Sequence, residues 1–170
     1  MTNFNNVIRM VVRFESDRAL ALEKVLDEVL AKFHAQTGTL HLLDPSRNVL
    51  RLEASVGLPP QIREITKEIP IGKGIAGECA KTGEPVTMCN LQTDDSGVAK
   101  PAARQTGVGG SLCVPLKHGD TVVGTLGIGT KREHEFSPRE TRDLQHVAEV
   151  LAQEIVPEPT PAASGETASA

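Results

Sequence analysis

The sequence predicts an α+β fold with a mainly antiparallel sheet, and three observations lead there. Two long amphipathic helical patterns lie toward either end, at Asp17–Phe33 and from Pro138 to Val156. Two strand–turn–strand units lie between them, over Thr39–Val56 and Gly110–Thr130. The helical patterns in the middle are too short for the crossovers that a parallel sheet requires.

Taken in order, Asn5–Phe14 is a short β-branched run, read as a helix because a helix follows it. Ser16 or Asp17 caps the next one. Its apolar residues Leu22, Val25, Leu26, Val29, Leu30 and Phe33 recur at helical spacing, and Gly38 follows its stop. Thr39–Leu43 and Val49–Val56 form a hairpin about Asp44–Asn48. Strict alternation puts Leu50, Leu52, Ala54 and Val56 on one face and Val49, Arg51, Glu53 and Ser55 on the other. Pro59 or Pro60 starts a short helix. A strand at Glu68–Ile71 leads through a glycine loop into a helix over Ile75–Lys81, stopped by Gly83, and Pro85–Cys89 is the next strand. Asn90–Gly109 is the longest irregular stretch, with a short helix at Pro101–Thr106 and functional potential for its length. In the second hairpin Leu112, Val114 and Leu116 oppose Ser111, Cys113 and Pro115. On its return strand Val122, Gly124, Leu126 and Ile128 oppose Val123, Thr125, Gly127 and Gly129. Ser137-Pro138-Arg139-Glu140 is a capping box, and Leu144, Val147, Ala148, Leu151, Ala152 and Ile155 give the last helix its stripe. Residues 1–16 read as an N-terminal helical extension, 17–156 as the domain, and 157–170 as a disordered tail poor in apolar side chains.

Composition removes several function classes. With four Phe and neither Trp nor Tyr, there is no aromatic platform for stacking bases. The net charge of −4 is mixed along the chain, without the basic stripe that binds a phosphate backbone. No apolar run is long enough to span a bilayer, and the N-terminus lacks a signal peptide's pattern. Three cysteines without such a signal read as free thiols, which places the protein in the cytoplasm. The expectation is therefore no nucleic acid and no membrane.

Ile69–Asn90 holds a literal G-x-G-x-x-G at Gly72, Gly74 and Gly77. A dinucleotide site needs a parallel crossover after such a loop, and the following helix ends too soon. The glycines are read instead as permitting a tight turn. The histidines His34, His41, His118, His134 and His146 fall on separate elements, with neither C-x-x-C nor H-x-x-x-H spacing, so no metal and no cofactor is expected.

Several segments, in this order, resemble a GAF domain: Gly38–Asp44, Ala54–Pro59, Ile69–Gly77, Thr82–Val86, Ser111–Leu116, and Val123–Ile128 before Phe136-Ser137-Pro138. The resemblance covers roughly Asp17–Ile155. It implies a six-stranded antiparallel sheet, long terminal helices on one face, and short helices and loops over a small-molecule pocket on the other. It also implies dimerisation and a role in signalling. Candidate pocket residues are His41, Ile75, Cys89, Asp94, Ser111, Cys113, Thr125 and Gly127. The face of Ser111, Cys113, Thr125, Gly127 and Gly129 is small and mildly polar, which leaves room above the sheet.

GAF-fold proteins include the free methionine-(R)-sulfoxide reductases, and Cys79, Cys89 and Cys113 have a spacing similar to theirs. The register differs. Where that family keeps a cysteine inside the glycine loop, this chain has Ala76. Its other cysteines fall near Thr66 and Arg104, and its acidic residue falls on Ser111. The cyclic-nucleotide pattern is only partly matched, by Lys131, Phe136 and Glu140, with a Lys131–Glu140 ion pair bracing the helix start. Bilin attachment lacks a Cys-His pair. The expected function is a non-catalytic, stand-alone sensor or regulatory module with no catalytic residue. It binds an unknown small molecule or a signalling partner protein and acts as a homodimer through Asp17–Phe33 and Pro138–Val156, with Asn5–Phe14. The alternatives are a thiol reductase and an interaction module with a closed pocket.

Overall fold

The computed structural model describes residues 3–89 and 109–155. The expected short helix at Pro101–Thr106, the candidate Asp94 and the expected tail lie outside them. Helix α1 is Phe4–Phe14 and α2 is Arg18–Phe33. They are followed by β1 (Thr37–Asp44), β2 (Val49–Val56), α3 (Pro60–Ile65), β3 (Glu68–Pro70), α4 (Gly74–Thr82) and β4 (Val86–Met88). Then come β5 (Ser111–His118), β6 (Thr121–Gly129) and α5 (Pro138–Ile155). The six strands form one antiparallel sheet in the order β3-β2-β1-β6-β5-β4. This is the α+β architecture read from the sequence.

Local chemistry sets the helix ends. Asp17 caps α2, its carboxylate accepting from the Leu20 N–H at 3.2 Å. The helix stops at His34, which turns left-handed at φ 55°, and Gly38 follows that stop as read from the sequence. Gly38 belongs to β1, where a Cβ would stand 3.2 Å from a Leu30 methyl. At α5 the capping box is formed: the Glu140 N–H donates to Ser137 Oγ at 3.1 Å, and the Ser137 N–H donates to Glu140 at 2.9 Å. The Lys131–Glu140 ion pair expected from the sequence is replaced by His134, whose Nε2 lies 3.2 Å from the Glu140 carboxylate.

The helix-side face of the sheet carries the main core. Leu40, Leu112, Val114, Leu116, Leu126 and Ile128 meet the stripes of α2 and α5, and Ile8 of α1 is fully buried in the same cluster. The bidentate Arg13–Glu154 pair, at 2.8 and 2.9 Å, ties α1 to α5.

Two bulges correct the simple alternation. Leu40 pairs with Ala54 but His41 pairs with Leu52, so β2 carries one extra residue, Glu53. Ala54 and Val56 therefore face the helices, whereas Leu50 and Leu52 share the face of His41. Leu50 is fully buried there, outside the main cluster. On β6 the shift from Leu116↔Gly124 to Lys117↔Val122 leaves Val123 unpaired and turns it into the helix-side core, opposite to expectation.

The glycine loop is a turn. Gly72 and Gly74 have positive φ, 87° and 67°. Gly77 lies against the preceding strand, where a Cβ would stand 2.5 Å from the Pro70 carbonyl oxygen and 3.1 Å from the Gly72 nitrogen. A Gly→Ala change inside a helix ordinarily stabilises by about 1 kcal/mol. At Gly77 the clash is with backbone, so Gly77→Ala is expected to destabilise by about 1–3 kcal/mol. Urea unfolding monitored by circular dichroism checks the sign; an unchanged or higher midpoint would refute the close packing.

Candidate functional site

The face away from the long helices carries a cavity of about 220 Å³. That is roughly seven waters' share of liquid volume, room for a small organic molecule. Its floor is three strands wide. The registers β1–β6 and β6–β5 align Thr37, Gly129 and Ser111 in one row, then Thr39, Gly127 and Cys113, then His41, Thr125 and Pro115. Glycines at the centre of the first two rows remove side chains that would fill the space. A Cβ at Gly127 would stand 3.0 Å from Thr39 Oγ1 and 3.9 Å from Cys113 Sγ. One wall is α3 and its flanks, with Leu58, Ile62, Ile65 and Thr66. The other runs from Glu68 through the glycine loop to the first turn of α4, with Lys73, Gly74, Ile75 and Ala76.

Of the candidates named from sequence, His41, Ile75, Ser111, Cys113 and Gly127 line this cavity. Thr125 lies beside His41 in the floor, fully buried, but does not line it. Cys89 is exposed and sits away from it, its thiol 3.5 Å from the Glu133 carboxylate. Sequence reasoning passed over Thr37 and Thr39, although both share the period-two alternation of His41. It also passed over Lys73, inside the glycine loop, and the α3 residues Ile62 and Ile65. No periodic signal marks those last two as wall residues, because only the fold of α3 over the sheet brings them there.

His41 is the most constrained polar group. It is 2% exposed, and its Nε2 lies 3.0 Å from the Thr66 carbonyl oxygen. A carbonyl only accepts, so Nε2 carries the proton and Nδ1 is left as a bare acceptor. Nδ1 and the neighbouring Thr125 Oγ1 are both buried without a partner among the described residues. Burial pushes the His41 pKa down, against a smaller upward pull from the Thr66 carbonyl, so the ring is neutral.

Two of the thiols, those of Cys79 and Cys89, are held in their protonated form. Cys79 on α4 is fully buried and donates to the Cys113 carbonyl at 3.6 Å. The Cys113 side chain, then burial, push its pKa far up. Burial and the Glu133 carboxylate likewise raise that of Cys89. Among the described residues no three His, Cys, Asp or Glu side chains gather as metal ligands, and no helix is long and apolar enough to cross a membrane.

The neutral His41 has a consequence for stability. Its folded pKa lies below the unfolded value of about 6.5. Below that pH the unfolded chain takes up a proton that the folded one refuses. Stability should therefore fall with pH from about 6.5 downward, by up to about 1.4 kcal/mol per unit from this group. The carboxylates with lowered pKa, such as Glu140, add their loss only at lower pH. Thermal melts from pH 7.5 to 5 should show this slope, and His41→Gln should flatten it. An equal slope in the variant would contradict the assignment.

Residues 15–156 match the family model described as GAF domain. No curated protein sequence is significantly similar to this chain. Among solved structures, the GAF domain of a phosphoenolpyruvate-protein phosphotransferase from Coxiella burnetii superposes with a TM-score of 0.76 at 21% identity, covering 97% of this chain and 95% of that one. The GAF domain of the Acinetobacter phosphoenolpyruvate-protein phosphotransferase gives 0.74 at 19%, with 98% of each chain covered. A free methionine-R-sulfoxide reductase from Neisseria meningitidis, in complex with its substrate, gives 0.72 at 19%, covering 89% of this chain and 85% of that one. These likenesses speak to the fold, which GAF domains and that reductase share. With the family match spanning most of its length, the chain belongs to the GAF domain family.

Proposed function

We propose that this protein is a non-catalytic regulatory module that senses a small molecule in the cavity over its sheet and acts as a homodimer in signalling. The observation that carries this reading is the cavity itself: a floor of small and hydroxyl-bearing residues around one neutral, half-satisfied histidine. Such a concave, largely apolar site with a few convergent polar groups suits ligand recognition.

A reductase is the second reading, favoured by one observation, that the Cys113 thiol lines the cavity. Against it stands thiol chemistry. A nucleophilic cysteine works as the thiolate, favoured by cations or a helix N-terminus. Here the Cys113 side chain and burial hold Cys79 protonated, and burial and a carboxylate hold Cys89 so. A coupled assay with free methionine (R)-sulfoxide, thioredoxin, thioredoxin reductase and NADPH should show consumption no faster than without the protein. Turnover that disappears in Cys113→Ser would replace the sensing reading with the enzymatic one.

The dimer proposal takes its surface from what the core leaves exposed. The stripes of α2 and α5 are spent on the sheet. The exposed large apolar side chains nearest them are Phe14 (82% exposed) and Met10 (54%) on α1, and Leu20 on α2. Phe14 and Met10 lie one turn apart on α1, so they present one patch. Sedimentation velocity at micromolar concentration should give a dimer, and Phe14→Glu should weaken it about tenfold or more, as loss of a buried aromatic anchor does. A wild-type monomer would remove the dimer claim.

A further inference from the structure

Three hydroxyls on the cavity floor have nothing to bond. The hydroxyl side chains that line the cavity are Thr37, Thr39, Thr66 and Ser111. That of Thr66 is used, donating to the Ile62 carbonyl at 2.9 Å. Those of Thr37, Thr39 and Ser111 make no hydrogen bond among the described residues. They stand around the two open glycines of β6. Thr37 and Ser111 flank Gly129 from opposite sides, and Thr39 flanks Gly127. Thr39 Oγ1 leans over that glycine, 3.0 Å from where a Cβ would be. The walls above are aliphatic, with Leu58, Ile62, Ile65 and Ile75. The charged residues of the lining leave the floor neutral: the Glu68 carboxylate is taken by Arg47 at 2.7 and 3.1 Å, and Lys73 is exposed to solvent.

Each of these hydroxyls can donate and accept. Neighbouring strands lie about 4.8 Å apart, so Thr37 and Ser111 stand about 10 Å apart across Gly129. A single oxygen between them reaches one side. A carboxamide presents an acceptor on one side and a donor on the other, and joins both through hydrogen bonds of about 2.9 Å. A carboxylate has no donor, an ammonium has no acceptor, and either charge is costly to bury on a neutral floor. Resting on the reading of this cavity as a ligand site, we propose that it takes an uncharged, short-chain aliphatic carboxamide. The head group lies between Thr37 and Ser111, and the alkyl body packs on Ile62, Ile65 and Ile75. At a water's share of about 30 Å³ per non-hydrogen atom, the cavity of about 220 Å³ holds about seven such atoms.

The test titrates the ¹⁵N-labelled full chain with 3-methylbutanamide, with 3-methylbutanoate, with 3-methylbutylammonium, and with methyl 3-methylbutanoate, an ester that accepts but does not donate. The carboxamide should produce saturable shifts in the backbone N–H signals of Thr37, Thr39, Ser111, Gly127 and Gly129. Either ion should bind at least tenfold more weakly. The ester should bind about three- to tenfold more weakly, the worth of one hydrogen bond between neutral groups. Thr37→Val and Ser111→Ala should each weaken the carboxamide by a similar factor and leave the ester's affinity within about twofold in at least one of the two. The ligand series is read in the wild type, so the assignment does not depend on a variant folding. Carboxylate, ammonium or ester binding as tightly as the carboxamide, or no carboxamide shift at millimolar concentration, would each overturn the proposal. Xenon, which enters an open apolar cavity whatever its natural ligand, separates that failure from failure of the ligand-site reading. Xenon shifts at Thr39 and Gly127 without carboxamide shifts would leave an open cavity of another specificity, and neither shift would overturn both readings.

Discussion

Thr37–Leu42 of β1 pairs antiparallel with Gly124–Gly129 of β6, and this one ladder joins the two halves of the chain into a single sheet. Each half contributes a hairpin that is local in sequence. Bringing them together closes a long loop, a cost that grows slowly with length but must be met by contacts formed only afterwards. The contacts are specific. Leu40 lies opposite Leu126 in the core, and Gly124 meets the backbone so closely that a Cβ there would stand 2.3 Å from the His41 carbonyl oxygen. The same ladder places His41 beside Thr125 and Thr39 beside Gly127, so the strand pairing that builds the fold also builds the cavity floor.

The two faces of that ladder divide the work. Leu126 and Ile128 point at the helices, and Thr125, Gly127 and Gly129 point the other way. A strand that is large on one side and small on the other packs tightly on one face and leaves volume on the opposite one. The helix side is closed by α2 and α5, with α1 adding Ile8 to the same cluster. The cavity side is covered by short elements, α3 and α4, whose ends bring backbone groups rather than long side chains to the space. Thr66 offers a carbonyl, and α4 offers N–H groups. The polarity of this space comes mostly from backbone and from one histidine fixed in one tautomer.

The cysteines show how similar spacing can carry different chemistry. The family likeness embraces both GAF domains and a reductase built on the same fold. A fold of this kind hosts unrelated functions, so the decision rests on the groups around each sulfur. Cys79 faces another thiol and a carbonyl in a dry interior, and Cys89 faces a carboxylate. Neither setting favours a negative sulfur.

Much of this was legible in the residues. Apolar periodicity marked α2 and α5, turn residues marked both hairpins, the capping box marked the start of α5, and the ordered glycine and proline segments marked the family. Period-two alternation placed His41, Ser111, Cys113 and Gly127 on one face, where the cavity lies. These features are local: they depend on residues a few positions apart, and their physics is complete within a turn or a strand. What only the tertiary structure decided depends on partners distant in sequence. The bulges at Glu53 and Val123 turned Leu50 and Val123 to the faces opposite those the alternation predicted, because strand pairing, not composition, sets where a register slips. His134 rather than Lys131 reached Glu140, because the segment before α5 folds back on the end of β4, the His134 N–H donating to the Cys89 carbonyl. The sequence by itself determined the elements and the family. The sheet registers and the fold of α3 and α4 over the floor decided which polar groups face the cavity and which of them are left without a partner.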